Sequence, residues 1–391
     1  MNLIYLSPHF PPNYVNFTTR LKSMGVQVLG IAADSYDSLP ADLKWGLTEY
    51  HRVEDMNNYA QVLQAGMYFK GRYGTIDRIE SHTEYWLPVE AALREDLQVW
   101  GKNCHQTEQM TRKSAMKATF QQLGIETARG RTIEDLRSAE EFCMQVGYPI
   151  IIKPDIGVGA ANTWRVNNPA ELARLFEAHE LRGYFMEEFV DGAICTFDGL
   201  TDGEGNIVYH NGLTYNENIM EIVLADSDLC FYTARQMADD LVEAGMRTVK
   251  AFDVREKFFH LEFFRRHRDQ KLLGLEVNIR APGVNTIDMW NYADDVDFYS
   301  EWARIVSGGK FQAQCSRRNH VAHVGRKDNA AYLHSHDEVV AQLGQHLLHF
   351  ERLSPIFQKV LGDVSYLIRA ANLKELLPLM QFAHQRTSYS S

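Results

Sequence analysis

Residues 257–283 read KFFHLEFFRRHRDQKLLGLEVNIRAPG, and the order of residues in this stretch decides how the rest of the chain is read. On either side of a turn near Asp269 the residues alternate by twos, which predicts two antiparallel strands. Phe258, His260, Glu262 and Phe264 then share one face of the first strand, and Leu272, Gly274, Glu276 and Asn278 share one face of the second. In that register Glu262 and Glu276 stand opposite each other. Like charges directly across a strand pair are destabilising, and carboxylates among Phe, Leu and Val require compensation. A divalent cation is the simplest form of it, because Mg2+ takes one or two carboxylates and fills its shell with phosphate oxygens and water. The Asn278 amide oxygen adds a third ligand, and Arg280 is suited to a two-pronged grip on a carboxylate or phosphate. The alternative is an amphipathic hairpin with its polar face in solvent. Three oxygen ligands followed by an arginine favour the metal site.

The 391-residue chain has room for two or three domains, and its ordinary apolar and charged content is that of a soluble globular protein. A net charge of −11 disfavours a nucleic-acid partner. No stretch approaches the length needed to cross a bilayer, so no membrane role and a cytoplasmic location are expected. Cys104, Cys143, Cys195, Cys230 and Cys315 are scattered without a CxxC, which predicts reduced thiols rather than disulfides or a zinc site. The pairs His334/His336 and His346/His349 read as surface or core residues.

Working outward, residues 1 to about 100 open with strand, helix and strand (Leu3 to Leu6, Val15 to Met24, Val26 to Ala32), the start of a small doubly wound α/β domain. Its first turn holds Ser7, Pro8, His9 and Phe10 and no GxGxxG, which argues against a dinucleotide site there. Next come a helix from Thr111 ending at Gly124, a helix capped by Ser138 with Glu141, and an apolar strand from Pro149 closed by Lys153. A helix begins at Asn168-Pro169, and a strand runs from Tyr184 to Val190. This pattern predicts a compact lid. Antiparallel strands over 193–200 and 206–213 and a helix from about Ala234 to Val249 lead to the glutamate hairpin. The last eighty residues show two helical runs and no motif.

Lys113 begins a helix and Lys153 ends a strand, and after Lys153 comes PDIGVGAA (154–161). Such a loop lets backbone N–H groups approach phosphate oxygens while a lysine neutralises their charge. Met186 to Val190 then offers a mostly apolar edge with backbone groups for an adenine ring. In order, Lys113, GYPIIIKP with its small-residue loop, FMEEFVDG, Glu262, and Glu276-Val-Asn278-Ile-Arg280 resemble the ATP-grasp superfamily, with coverage from about residue 105 to 300.

The resemblance implies a pre-ATP-grasp doubly wound α/β domain (1–104), an α+β ATP-grasp domain (105–309, its lid about 112–188) and a C-terminal α+β extension (310–391). ATP would lie between two α+β subdomains. Lys113 and Lys153 would meet its phosphates, the loop from Asp155 through Gly157, Gly159 and Ala160 would close over them, and Glu187, Glu188, Phe189 and Val190 would meet the adenine. Glu262, Glu276 and Asn278 would hold Mg2+, with Mn2+ an alternative, and Arg280 and Lys153 would be catalytic. Asp198 is the candidate ribose contact, since Ala193 and Ile194 follow Gly192 where an acid is expected. Arg112 stands where relatives commonly carry an aspartate.

Within the superfamily the sequence also resembles biotin carboxylases, but Val284 stands where those enzymes carry a glutamate base. Asn278-x-Arg280-x-x-Gly283 instead resembles carboxylate-amine ligases. The expected activity is therefore ATP-dependent joining of a small-molecule carboxylate to an amine, with bicarbonate activation and a non-catalytic ATP sensor as alternatives and a homodimer as an open assembly. His210, Tyr215 and Glu217 are candidate substrate contacts, and Trp290 and Tyr292 candidate pocket walls.

Overall fold

The computed structural model describes residues 1–157, 162–215, 229–283 and 285–387. Gly159, Ala160, Glu217 and Val284 lie outside the described residues. An all-parallel sheet of β1 (Asn2–Leu6), β2 (Gln27–Ala32), β3 (Glu49–Arg52) and β4 (Arg78–Glu80) runs in the order β3-β2-β1-β4. The two central strands, β1 and β2, are apolar almost throughout because both faces are covered. Leu3, Tyr5 and Val28 pack with Phe17 of the helix Val15–Ser23. Ile4, Leu6 and Leu29 pack with Phe69 and Leu93 on the other side.

After β5 (Glu126–Thr127), an antiparallel sheet of β6 (Gly130–Thr132), β7 (Ile150–Pro154), β8 (Trp164–Val166) and β9 (Tyr184–Glu188) carries two helices whose Phe142 and Leu172 meet Ile150, Ile152 and Met186. The third sheet has nine strands: β5 with β10 (Gly192–Thr201), β11 (Ile207–Tyr215), β12 (Cys230–Ala234), β13 (Phe258–Arg266), β14 (Leu272–Asn278), β15 (His320–Arg326), β16 (Leu347–Arg352) and β17 (Val364–Ala370). Its order is β16-β17-β15-β12-β11-β10-β13-β14-β5, antiparallel except for β14 with β5.

Several expectations are corrected. The C-terminal eighty residues, read from sequence as two helical runs, also supply three strands that continue the nine-stranded sheet through the β12–β15 pairing. Every residue of β15 is buried, so it lacks the alternation that marks a strand. The helix expected from Ala234 is Asp239–Ala251, preceded by β12. The helix expected behind Ser138 starts a turn earlier, because Asp135 is the cap and Ser138 is its reciprocal partner at the third position. Finally, the helix Lys113–Gln122 does not belong to the lid core: Met116 and Phe120 pack with Phe263 and Val277 under the hairpin.

That last contact ties one lysine-bearing helix to the hairpin through Gly274, where an added Cβ would sit 2.6 Å from the Phe120 ring. Phe120 is fully buried and has no room to yield. Gly274→Ala is expected to destabilise the protein by about 1–3 kcal/mol through overpacking. Urea denaturation checks it; an unchanged midpoint would mean that the helix does not seat on the glycine.

Candidate active site on the glutamate hairpin

The hairpin has the register expected at its functional end: Glu262 pairs with Glu276 and His260 with Asn278. Beyond Glu262 the register shifts, Phe263 pairs with Gly274, and Leu275 is the extra residue. A bulge of this kind re-aims side chains. Glu276 and Asn278 therefore stay with Glu262 and His260, while Gly274 turns toward Phe120, and the face expected to run unbroken from Leu272 to Asn278 is interrupted.

Compensation of the two carboxylates begins within the protein. The His260 ring lies between Asp198 Oδ1 at 2.7 Å and Glu262 Oε1 at 2.9 Å, and the Thr196 hydroxyl donates to Asp198 Oδ2 at 2.6 Å. Burial opposes a charge on His260, but the two carboxylates outweigh it and raise its pKa to about 10. Burial likewise opposes the Glu262 charge, and His260, Arg280 and Lys153 together hold its pKa below the ordinary value. On the other strand Lys113 Nζ stands 3.5 Å from Glu276 Oε1 and donates to the Gly157 carbonyl at 3.1 Å. Among the described residues no three His, Cys, Asp or Glu side chains form a metal cage. Two opposed carboxylates beside the buried Asn278 are the donor set that suits a hard cation sharing its shell with phosphate oxygens.

Lys153 is held by Glu187, whose Oε1 lies 2.5 Å from its Nζ, while Lys117 Nζ lies 2.8 Å from the other oxygen. All three residues are buried. Burial penalises the Glu187 charge, yet the two lysines bring its pKa to about 2. Lys153 is raised despite burial, with Glu187 and then Glu276 the main favourable charges, so this lysine links the lid to the hairpin. The Glu187 side chain is thus a counter-ion to the two lysines.

Two further assignments change. Asp155 caps the helix Lys113–Gln122: it accepts from the Ser114 N–H at 2.8 Å and its hydroxyl at 2.9 Å, and pairs with Arg112 at 3.0 Å. Arg112 and a cap supplied across space replace the local aspartate expected at position 112. Asp198 is fully buried with both oxygens engaged by His260 and Thr196, and so supports His260 instead of a ribose.

Glu188 pairs with Arg129, and Phe189 lies under the Arg165 guanidinium at 4.4 Å. Val190 packs with Ala128 and Leu273 at the lid junction. His210 stacks on Phe197, 5.4 Å between centroids, and contacts Arg317. Phe197 packs with Leu241 and Phe259 beneath the sheet, so His210 faces away from the hairpin carboxylates. Tyr215 stays near them: burial and then the Glu262 and Asp198 charges raise its pKa. Trp290 is core. Arg280 donates to the Ala281 carbonyl at 2.9 Å and lies 3.4 Å from Glu84 of the first domain. Burial raises the Glu84 pKa against the pull of Arg280.

Lys117, His260 and Glu84 were not assigned to the site from sequence. Lys117 follows Lys113 by four residues on one helix face, and His260 precedes Glu262 by two on one strand face, so both carried a periodic signal. Glu84 is 196 positions from its partner and carried none.

A class of protein is now defined: lysines from a lid and from the adjoining helix converge on a carboxylate hairpin. The family described as "Carbamoyl-phosphate synthase L chain, ATP binding domain" matches residues 112–310, and the chain belongs to it, an ATP-grasp protein. The L-arginine-specific L-amino acid ligase of Bacillus subtilis is 24% identical over 271 residues, 59% of this chain and 60% of that protein. A formate-dependent phosphoribosylglycinamide formyltransferase of Nitratiruptor is 27% identical over 176 residues, 43% of this chain and 42% of that one. The chain thus spans less than two thirds of the curated relatives it matches here. Among solved structures, an L-amino acid ligase from Bacillus licheniformis superposes with a TM-score of 0.75 at 16% identity, covering 97% of this chain and 96% of its own. At that identity the likeness establishes the fold.

The Lys117–Glu187–Lys153 array makes a pH-dependent prediction. The folded pKa of Glu187, about 2, lies below its ordinary 4.5, so its stabilisation is present above pH 4.5 and lost as pH falls toward 2. Glu187→Gln is expected to remove that part of the acid limb and to cost about 3–5 kcal/mol at neutral pH, because two buried lysines lose their shared counter-charge. Denaturant titrations from pH 7 to pH 2 check both effects; an unaltered acid limb contradicts the array.

Proposed function

We propose that this protein is an ATP- and Mg2+-dependent ligase that joins a carboxylate to an amine through an acyl phosphate and releases ADP and phosphate. The observation that carries the reading is the face-to-face pair Glu262 and Glu276, flanked by Lys113, Lys153 and Arg280. A carboxylate is a poor electrophile until a phosphoryl group is placed on it. Lys113 and Lys153 meet the phosphates and stabilise the charge spread over the transferring group. Arg280, positioned by Glu84, grips the substrate carboxylate. Glu262, Glu276 and Asn278 would hold Mg2+, which when bound would add to the neutralisation of phosphate charge. The lid sheet with β7 and β9 keeps water from the activated acid, and backbone groups from Glu188 to Val190 meet the adenine. The names of two similar proteins, both L-amino acid ligases, support amide formation as the outcome.

The test is ADP release across amino acids, dicarboxylates, amines and bicarbonate, with product masses recorded. An acid and amine pair that yields ADP and the mass of an amide supports the ligase; ADP release driven by bicarbonate alone replaces it with a carboxylase-like reaction. Glu276→Gln is expected to lower turnover by roughly a hundredfold or more, through loss of transition-state stabilisation. A variant with full turnover would remove the hairpin from the chemistry, and tight Mg-ATP binding without turnover for any pair would favour a sensor.

A further inference from the structure

Glu262 has one oxygen engaged and one free. His260 Nε2 lies 2.9 Å from its Oε1, and among the described residues no hydrogen bond reaches Oε2. The ring that holds Oε1 is itself fixed at its other end. Nδ1 lies 2.7 Å from Asp198 Oδ1, Asp198 Oδ2 accepts from the Thr196 hydroxyl at 2.6 Å, and that hydroxyl oxygen accepts from the Leu213 N–H at 2.8 Å. These groups stand on the neighbouring strands β11, β10 and β13, with Thr196 directly across from Glu262 and Asp198 directly across from His260. Thr196 and Asp198 are fully buried and His260 is nearly so. A buried network whose members are all satisfied holds its side chains in one arrangement.

Charge balance does not account for this chain. Arg280 and Lys153 already lower the Glu262 pKa alongside His260, whereas Asp198 brings a further negative charge toward the hairpin and carries the cost of its own burial. What Asp198 adds is the orientation of the imidazole, and through it the orientation of the carboxylate. The opposite carboxylate is restrained in the same sense, with Lys113 Nζ 3.5 Å from Glu276 Oε1.

The number of oxygens that a carboxylate presents separates two common hard cations. Mg2+ demands a near-ideal octahedron, whereas Ca2+ takes about six to eight oxygens in flexible geometry and readily accepts both from one carboxylate. We propose that His260, backed by Asp198 and Thr196, is a positioning residue that confines Glu262 to one metal-binding oxygen and thereby makes the hairpin select Mg2+ over Ca2+. The inference rests on the metal reading of the hairpin and adds to it the residue that sets which ion is accepted.

Calorimetric titration of a non-hydrolysable ATP analogue into the full chain, in Mg2+ and separately in Ca2+, tests it. Both ions are divalent, so losing the imidazole alters their attraction to the site alike, and the ratio of the two affinities reports the presentation of oxygens. Wild type is expected to bind the analogue more tightly in Mg2+, and His260→Leu to reduce that preference by roughly tenfold, within the range typical of groups that orient metal ligands. His260→Gln, whose amide keeps an N–H near the position of Nε2, is expected to retain the preference. The Asp198→Asn/His260→Leu protein, which leaves no unpaired buried carboxylate, is expected to show the same reduction and serves where the single variant does not fold. A wild type that does not distinguish the ions, a preference that survives removal of the imidazole, or one lost equally in His260→Gln overturns the inference and leaves a cation at the hairpin. If neither ion strengthens analogue binding to wild type, the metal reading itself fails and the inference falls with it.

Discussion

Two carboxylates held directly across a strand pair are the constraint around which the structure is arranged. Glu262 and Glu276 repel each other at close range in a half-buried setting, and ionised carboxylates persist there only when positive charge surrounds them. The chain draws it from three directions: His260 along the strand, Lys113 from the helix behind the hairpin, and Lys153 from the lid. Because these groups come from different layers, the electrostatics of the hairpin bind the layers to one another. Each cation has a supporting carboxylate of its own or shares one of the pair, as Asp198 backs His260 and Glu187 backs Lys153.

The same arrangement explains how nucleotide chemistry fits the site. Lysines that already lie beside carboxylates are placed and desolvated before any phosphate arrives, so less reorganisation remains. Arg280 is anchored to Glu84, which ties that end of the hairpin site to the N-terminal parallel-sheet layer.

How much of this was legible in the chain follows from how local each signal was. The hairpin, its register and Arg280 were readable because strands alternate by twos and the glutamates sit at matching distances from the turn. The bulge at Leu275 was not, since one extra residue leaves no compositional trace. Strands β15 and β17 were missed because burial on both faces erases alternation. Asp155 and Asp198 were assigned to nucleotide from their place in the order of motifs; their actual partners, Ser114 and His260, are distant in sequence and adjacent only through the fold. Lys117 and His260 carry the right spacing in the sequence, whereas the Glu84–Arg280 pair exists only in three dimensions.

The paired glutamates are proposed to hold a cation shared with nucleotide phosphates. Calorimetric titration of a non-hydrolysable ATP analogue, with and without Mg2+, into wild type and into a Glu262→Gln/Glu276→Gln protein tests it most directly. Mg2+ is expected to strengthen binding to wild type by at least about tenfold and to have little effect on the double variant. Equal affinity for the analogue in wild type with and without Mg2+ would contradict it.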